Sequence, residues 1–116
     1  MEDTIVALVT PPGISGIAMV RISGKDAIRI ADSCFVSNKK IAEAKSHTIL
    51  IGNIIYQNTI IDSLAALIFK NPHSFTGEDT VEFTCHGGYI ASEELIRVLK
   101  ELGARLAEPG EFTKRA

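Results

Sequence analysis

Apolar residues in this chain fall into short runs separated by turn-forming residues, a pattern that predicts a sheet-rich fold. Thr4–Thr10 is apolar and rich in β-branched residues, and two prolines and a glycine follow it, as is typical of a strand buried on both faces. Residues 16–23 predict a second strand. The aliphatic segments His47–Tyr56 and Ile60–Phe69 surround a short polar turn and therefore predict a β-hairpin. Another strand is predicted at Thr80–His86.

Two other segments show helical periodicity. In the first, Ser23 is the predicted N-cap, and apolar residues recur behind it at helical spacing: Ala27, Ile30, Ala31 and Cys34. Tyr89–Leu102 is the longer predicted helix, and Gly103 is a suitable C-terminal stop. Residues 37–45 fit either a loop or a weak, exposed helix.

A last short strand is predicted at Ala104–Ala107, and Phe112–Ala116 has the character of the first turn of a further helix. The predicted order of elements is β-β-α-β-β-β-α-β. This order indicates a single α+β domain over residues 1–116, with a mixed β-sheet and helices packed on one side.

Composition is that of an ordinary globular domain. Of the 116 residues, 46% are hydrophobic and 22% are charged, which argues against intrinsic disorder. The 12 basic and 14 acidic residues give a formal charge of −2, so the surface as a whole does not favour binding to a phosphate backbone. Lys114 and Arg115 are local candidates for an RNA contact.

The sequence also bears on location. The amino terminus is acidic and does not resemble a secretory signal. The longest strongly apolar run, Leu64–Phe69, is far shorter than the roughly 20 residues that span a bilayer. Cys34 and Cys85 are not needed as a disulfide in so apolar a chain. We therefore expect a reduced, cytoplasmic protein that does not enter a membrane.

Two of the charged residues within predicted strands, Arg21 and Glu82, are candidates for a binding site. In the stretch Gly-Glu-Asp-Thr-Val-Glu-Phe-Thr-Cys-His-Gly-Gly, alternation places Glu82 on one face with Thr80, Thr84 and His86, opposite an apolar face. Glu82 lies either on a solvated face or against a group with hydrogen-bond donors, because burying a bare carboxylate is costly. Arg21 either extends its guanidinium to water or pairs with an anion.

No residue is predicted to be catalytic or to bind a metal. Cys85 and His86 are adjacent in a strand and point to opposite faces, so they do not form a metal-ligand pair. A nucleophile at Ser74 or Cys85 with His86 as its base lacks any local sequence signature. The segment around Gly24 and Lys25 is not a phosphate-binding loop, because Met19 stands where the first glycine should be and Asp26 stands where Ser or Thr should be. Gly87 and Gly88 fit either an anion site or, as we favour, a turn that needs glycine.

Several longer stretches occur in a characteristic order along the chain. They are Asp3–Ile5, Thr10–Gly13, Val20–Gly24, Phe75–Asp79, Val81–Glu82, Cys85–Gly88 and Gly103–Ala116. Together they resemble the amino-terminal domain of the MnmE (TrmE) family of tRNA-modification GTPases, essentially from end to end, and the last stretch is the most specific. The chain departs from the family at Ile14 and Ser15, where Arg-Gly is more usual.

The resemblance implies a domain similar to the tetrahydrofolate-binding domains of one-carbon enzymes. It implies that the domain forms a homodimer and binds formyl-tetrahydrofolate near the dimer interface. Family members also have a central helical domain and an inserted G domain that uses GTP, potassium and magnesium, and nothing in this sequence matches either. The whole protein is implied to act with the flavoprotein MnmG (GidA) on the wobble uridine of tRNA, with folate supplying the one-carbon unit.

The resemblance also implies which residues bind folate. The family's arginine contact falls on Arg21 and its glutamate contact on Glu82. We expect Glu82 to accept paired N–H groups of the pterin ring and Arg21 to donate to a folate carbonyl or carboxylate. A third contact, a lysine, is expected beyond Ala116, so this chain should bind more weakly. The alternatives are a dimerisation module without a working folate site and, last, a hydrolase that uses Cys85 or His86.

Overall fold

A computed structural model describes residues 3–10, 17–86 and 88–116. The strands are β1 (Ile5–Leu8), β2 (Ala18–Ser23), β3 (Phe35–Val36), β4 (Thr48–Tyr56), β5 (Thr59–Phe69), β6 (Thr80–Cys85) and β7 (Arg105–Leu106). The helices are α1 (Ala27–Asp32), α2 (Gly88–Glu101) and α3 (Glu111–Arg115), and a 3₁₀ turn covers Ile41–Glu43. In these ranges, no helix has the length and apolar character needed to cross a membrane.

The seven strands form one sheet in the order β3-β4-β5-β6-β2-β1-β7. β1 and β7 pair in parallel, and the other neighbouring strands pair antiparallel. The sheet is therefore mixed, and with the three helices found among the described residues the fold is α+β, as the sequence predicts. Strands β2 and β6 lie side by side, although 56 residues lie between Ser23, the last residue of β2, and Thr80, the first residue of β6. This pairing brings the charged residues of the two strands together.

The main core lies on one face of the sheet, beneath α1 and α2. Alternate residues of β2 and β6 enter it, including Val20, Ile22, Val81 and Phe83, all with 0% exposure. From the helices, Ile30 of α1 and Leu95, Val98 and Leu99 of α2 join the same cluster. Cys34 is a core residue, as predicted. The opposite face of the sheet carries the other set of side chains in each strand.

The hairpin of β4 and β5 has the predicted two-stranded form. Its turn consists of Gln57 and Asn58, whose φ angles are 50° and 64°, and Tyr56 pairs with Thr59. Two consecutive positive φ values identify the tight turn whose twist matches that of antiparallel strands.

The prediction for Ser23 is wrong. Ser23 is the last residue of β2 and is fully buried, and the N-cap position of α1 is occupied by Asp26. The Ser23 hydroxyl is within hydrogen-bond distance of Thr76, Glu78 and Thr80, so it joins β2 to the loop before β6. A local capping pattern was thus overridden by contacts with residues more than fifty positions away.

The sequence also gave no indication of β3, a two-residue strand that pairs with β4. The segment 37–45 contains the 3₁₀ turn, which Asp32 holds by accepting hydrogen bonds from the Ile41 and Ala42 amides at 2.7 and 3.0 Å. The predicted features at 11–16 and Gly87 lie outside the described residues.

Gly24 turns the chain from β2 into α1. Its φ is +143°, and a Cβ added there would lie 2.6 Å from both the Cα and the Oγ1 of Thr4. Such a contact is too short for any side chain, and the positive φ favours glycine in addition. Glycine at this position therefore lets β1 and the end of β2 lie in contact.

Candidate functional site

Arg21 and Glu82 are direct partners across β2 and β6. The Arg21 Nε–H donates to Glu82 Oε2 over 2.8 Å, and the two side chains are only 19% and 14% exposed. Residues opposite each other in antiparallel strands have Cβ atoms about 5 Å apart, so their side chains leave the sheet on the same face. Each residue was predicted either to face water or to contact a partner, and the structure shows that each contacts the opposite charge of the other. This pairing offsets the cost of partial burial.

The pair lies on the sheet face opposite α1 and α2. The strand register places Ala7 beside Arg21 and Leu67 beside Glu82, with Ile49 next in the same row. Glu82 and Thr84 are partly buried, whereas Thr80 is buried and His86 is exposed. The face that carries the charged pair is therefore partly covered rather than fully solvated.

Two aromatic rings lie against the Arg21 guanidinium. Its Cζ is 5.1 Å from the ring centroid of Phe75, in the loop between β5 and β6, and 5.1 Å from that of Phe112, in α3. Both distances are within the range of cation–π attraction, worth about 0.5–2 kcal/mol each. The rings restrict where the guanidinium can lie and shield it from water.

The loop that carries Phe75 is fixed by polar contacts. Ser23 lies 2.7 Å from Thr76 and 3.1 Å from Thr80, oxygen to oxygen, and donates to Glu78 Oε1 over 3.1 Å. At the far side of the loop, Asp79 accepts from the amides of Asn71 and Gly24. The loop is therefore anchored directly beside the Arg21–Glu82 pair.

Helix α3 is held mainly by ion pairs. Arg115 donates through Nη1 to both oxygens of Glu78 (3.3 and 3.2 Å) and through Nη2 to Glu111 (3.3 Å). Arg105 of β7 binds Glu111 through two nitrogens, at 3.1 and 2.7 Å, and binds Asp3 at 3.0 Å. The hydrogen bonds that Arg105 donates to Glu111, together with one from the Glu108 amide, lower the pKa of Glu111 to about 2. We call Asp3, Glu78, Arg105, Glu111 and Arg115 the α3 ion network.

Arg115 was also a candidate for an RNA contact. Its side chain is 5% exposed and engaged by Glu78 and Glu111, so it is not presented to a phosphate backbone. Lys114 is exposed.

Cys85 and His86 do not form a reactive pair. Cys85 is fully buried, and burial, assisted by the charge of Asp62, raises its thiol pKa to about 12. His86 is exposed, and its Nδ1 lies 3.0 Å from the Ser63 carbonyl oxygen. Across the three described ranges, no three His, Cys, Asp or Glu side chains converge as metal ligands.

Sequence reasoning identified Arg21 and Glu82 separately, but it predicted neither their contact with each other nor the residues that surround them. All of the surrounding residues lie in stretches that carry the family resemblance, but the sequence predicts no role for Phe75, Glu78 and Phe112, and for Arg115 it predicts only an RNA contact. Phe75 is an aromatic residue in a polar, glycine-containing loop. This was the available sequence signal that the loop packs on the rest of the domain, because an aromatic ring has a large apolar area that favours contact with another surface.

Comparison with known proteins adds a second line of information. Residues 4–116 match the family described as the GTP-binding protein TrmE N-terminus. The tRNA modification GTPase MnmE of Chlamydia pneumoniae is 51% identical over 115 residues, which are 99% of this chain and 26% of that protein. The MnmE proteins of Listeria welshimeri and Flavobacterium johnsoniae are 46% and 43% identical, over 98% and 99% of this chain and 25% of each relative. The chain thus spans about a quarter of the length of these relatives.

Proposed function

The chain belongs to the family of TrmE amino-terminal domains, and we propose that it provides the folate-binding part of a GTPase that modifies tRNA. The principal support is the Arg21–Glu82 pair, in which two residues expected to contact folate lie 2.8 Å apart on one partly shielded surface. The proposed ligand is a reduced folate such as formyl-tetrahydrofolate.

The Arg21–Glu82 pair presents hydrogen-bond donors, from Arg21, and hydrogen-bond acceptors, from Glu82, side by side. Within the described residues, Arg21 hydrogen-bonds Glu82 through Nε alone and leaves its terminal N–H groups for an acceptor. A carboxylate has two oxygens and about four lone-pair sites, so Glu82 can accept from another donor while it holds Arg21. A pterin ring carries an amide N–H and an amino group beside a carbonyl, which is the complementary arrangement. Charge-assisted bonds of this kind are stronger than neutral ones.

The same face of the sheet supports a second role, homodimerisation. Ile49 and Ile51 of β4 are 61% and 72% exposed. Across the sheet, Ile49 is in register with Glu82 and Ile51 with Thr84, with one residue of β5 between them in each case. Exposed aliphatic side chains on a strand surface favour burial against a partner. We propose that two copies meet through this face, close to the folate site.

The remaining functions belong to the proposal for the whole protein. There, GTP with potassium and magnesium would be bound by a G domain, and MnmG and tRNA would be the partners, in the cytoplasm. This domain would hold the one-carbon donor and would not itself break bonds. The net charge of −2 agrees with RNA being bound mainly elsewhere.

Calorimetric titration of formyl-tetrahydrofolate into the wild type and a Glu82→Gln variant tests the folate site. The substitution keeps the shape but removes the charge, so it leaves Arg21 partly buried and uncompensated and weakens acceptance of the pterin N–H groups. We expect affinity to fall by about 2–5 kcal/mol, which is tens- to thousands-fold.

Glu94→Gln is the matched control, because Glu94 also pairs with an arginine, Arg97, but on the exposed surface of α2. It should bind folate like the wild type. A folded Glu82→Gln variant with wild-type affinity would contradict the folate site. A dimeric wild type that shows no heat of binding would instead support the alternative of a dimerisation module.

A further inference from the structure

Helix α3 would not be stable in isolation. It has only five residues, and its N-cap is Gly110, which provides no side-chain hydrogen bond. Isolated helices shorter than about 12 residues are marginal in water. Its place on the sheet must therefore come from contacts with other elements.

Arg115 provides the best-shielded of these contacts. Its side chain is 5% exposed and contacts carboxylates from two segments, Glu78 in the loop before β6 and Glu111 one turn earlier in α3. Removing one partner from a shielded charge network leaves the remaining charges uncompensated. The position of α3 relative to the loop should therefore depend strongly on this guanidinium.

The two segments that Arg115 joins are the same two that carry the rings against Arg21. Phe112 lies three residues before Arg115, on the adjacent turn of α3, and Phe75 lies three residues before Glu78 in the loop. Glu78 also accepts a hydrogen bond from Ser23, two residues along β2 from Arg21. Ion pairs therefore connect Arg115 to the two short segments that carry the rings, and the hydrogen bond from Ser23 to Glu78 connects the same network to the strand that carries Arg21.

We propose that Arg115 is a positioning residue that holds Phe75 and Phe112 against Arg21 and so sets the orientation of the guanidinium for the ligand. Its effect on folate binding rests on the function proposed above. Arg115 does not itself contact the ligand in this proposal. It acts through Glu78 and Glu111 on the two rings.

The position of the guanidinium is measured without folate, by the NMR signal of the Arg21 Nε–H. Neighbouring aromatic rings shift such a signal, and an Arg21→Lys variant identifies it by its loss. In Arg115→Ala, we expect the Arg21 signal to move toward the position of an arginine in water, while signals from the buried strands stay in place. Arg115→Lys, which retains the charge but cannot bridge two carboxylates as a fork, should move it less.

Arg97→Ala is the matched control, since Arg97 also bridges two glutamates, Glu94 and Glu101, but on α2. It should leave the Arg21 signal unchanged. If Arg115→Ala also leaves it unchanged, the positioning role is wrong.

Folate titration then tests the functional part. Arg115→Ala should weaken binding roughly 2- to 30-fold, the range expected for an effect transmitted through intervening residues. In a Phe112→Leu background, Arg115→Ala should weaken binding less than it does in the wild type, because one of the two rings through which Arg115 acts is already absent. A shifted Arg21 signal with unchanged affinity would overturn the link to binding. No binding by the wild type would overturn the proposed function, and the Arg21 signal would still decide the positioning role separately.

Discussion

Arg21 and Glu82 illustrate how a charged residue is accommodated within a strand. Each side chain is less than one-fifth exposed, and each has the other at 2.8 Å. Removing either one would leave the other partly buried without its partner, which costs more than the pair itself contributes to stability. The two residues should therefore be treated as a unit when single variants are interpreted.

Unlike Arg21 and Glu82, the two cysteines are uncharged in the folded protein. Each cause that shifts their pKa values raises them and so disfavours the thiolate. Burial is the main cause that raises the pKa of both Cys34 and Cys85 to about 12, and Asp32 and Asp62 respectively add to it. A thiol is reactive as the thiolate, so neither should react in the folded protein. With a disulfide-exchange reagent at pH 8, we expect no rapid release of chromophore from native protein and two equivalents in guanidinium chloride. Rapid reaction of either thiol in the native state would contradict the conclusion that both thiols are protonated and inert, and would favour the hydrolase alternative.

At the scale of elements, α3 depends on charge more than on apolar packing. Glu111 is the centre of the α3 ion network, because both Arg105 and Arg115 donate to it. Its carboxylate is thus stabilised in the folded state relative to the unfolded chain.

This stabilisation has a defined pH dependence. The pKa of Glu111 falls from 4.5 to about 2 on folding, so its contribution is fully present above pH 4.5 and is lost as the pH falls toward 2. In thermal melts followed by circular dichroism, Glu111→Gln should lower the melting temperature at pH 7, and its difference from the wild type should shrink between pH 4.5 and 2.

Glu43→Gln, which changes an exposed carboxylate in the 3₁₀ turn, is the control and should follow the wild type. A difference between Glu111→Gln and the wild type that stays constant across this pH range would contradict the role of the Glu111 charge.

Elements whose signals are local could be predicted from the sequence. The hairpin follows from two aliphatic runs around a short polar connection, which the structure reduces to a turn of two residues. Helix α2 follows from an apolar stripe, to which the structure adds the buried Val98; the predicted stripe consists of Leu95, Ile96, Leu99 and Leu102. β3 could not be predicted, because its two residues become a strand only by pairing with β4.

The candidate site shows the same limit. Arg21 and Glu82 could each be identified, but they are 61 residues apart, and their contact depends on the adjacency of β2 and β6. The bond between Glu78 and Arg115 spans 37 residues and likewise depends on where the loop and α3 come to lie. Sequence periodicity describes the faces of one element and does not determine which elements meet.

At the scale of the whole molecule, the two faces of the sheet have different roles. One is covered by α1 and α2 and forms the core. The other carries the charged pair at its centre and the exposed Ile49 and Ile51 toward β4. A ligand site and a dimer interface on one face would be coupled, because a partner that buries the isoleucines also reduces access of water to Glu82.

Light scattering combined with gel filtration tests the interface. We expect the wild type to have about twice the chain mass of 12.5 kDa and Ile51→Lys to be monomeric, because a buried, unpaired lysine is costly. Ile90→Lys is the control, since Ile90 is 77% exposed but lies on α2, and it should remain dimeric. A monomeric wild type, or a dimer unaffected by Ile51→Lys, would contradict the proposed interface.

The most direct test of the central claim is a crystal structure of the chain with formyl-tetrahydrofolate bound. The account predicts that the N–H edge of the pterin lies within hydrogen-bond distance of the Glu82 carboxylate, with an Arg21 N–H group donating to a folate oxygen. A ligand bound elsewhere, with Glu82 paired to Arg21 alone and facing water, would contradict it.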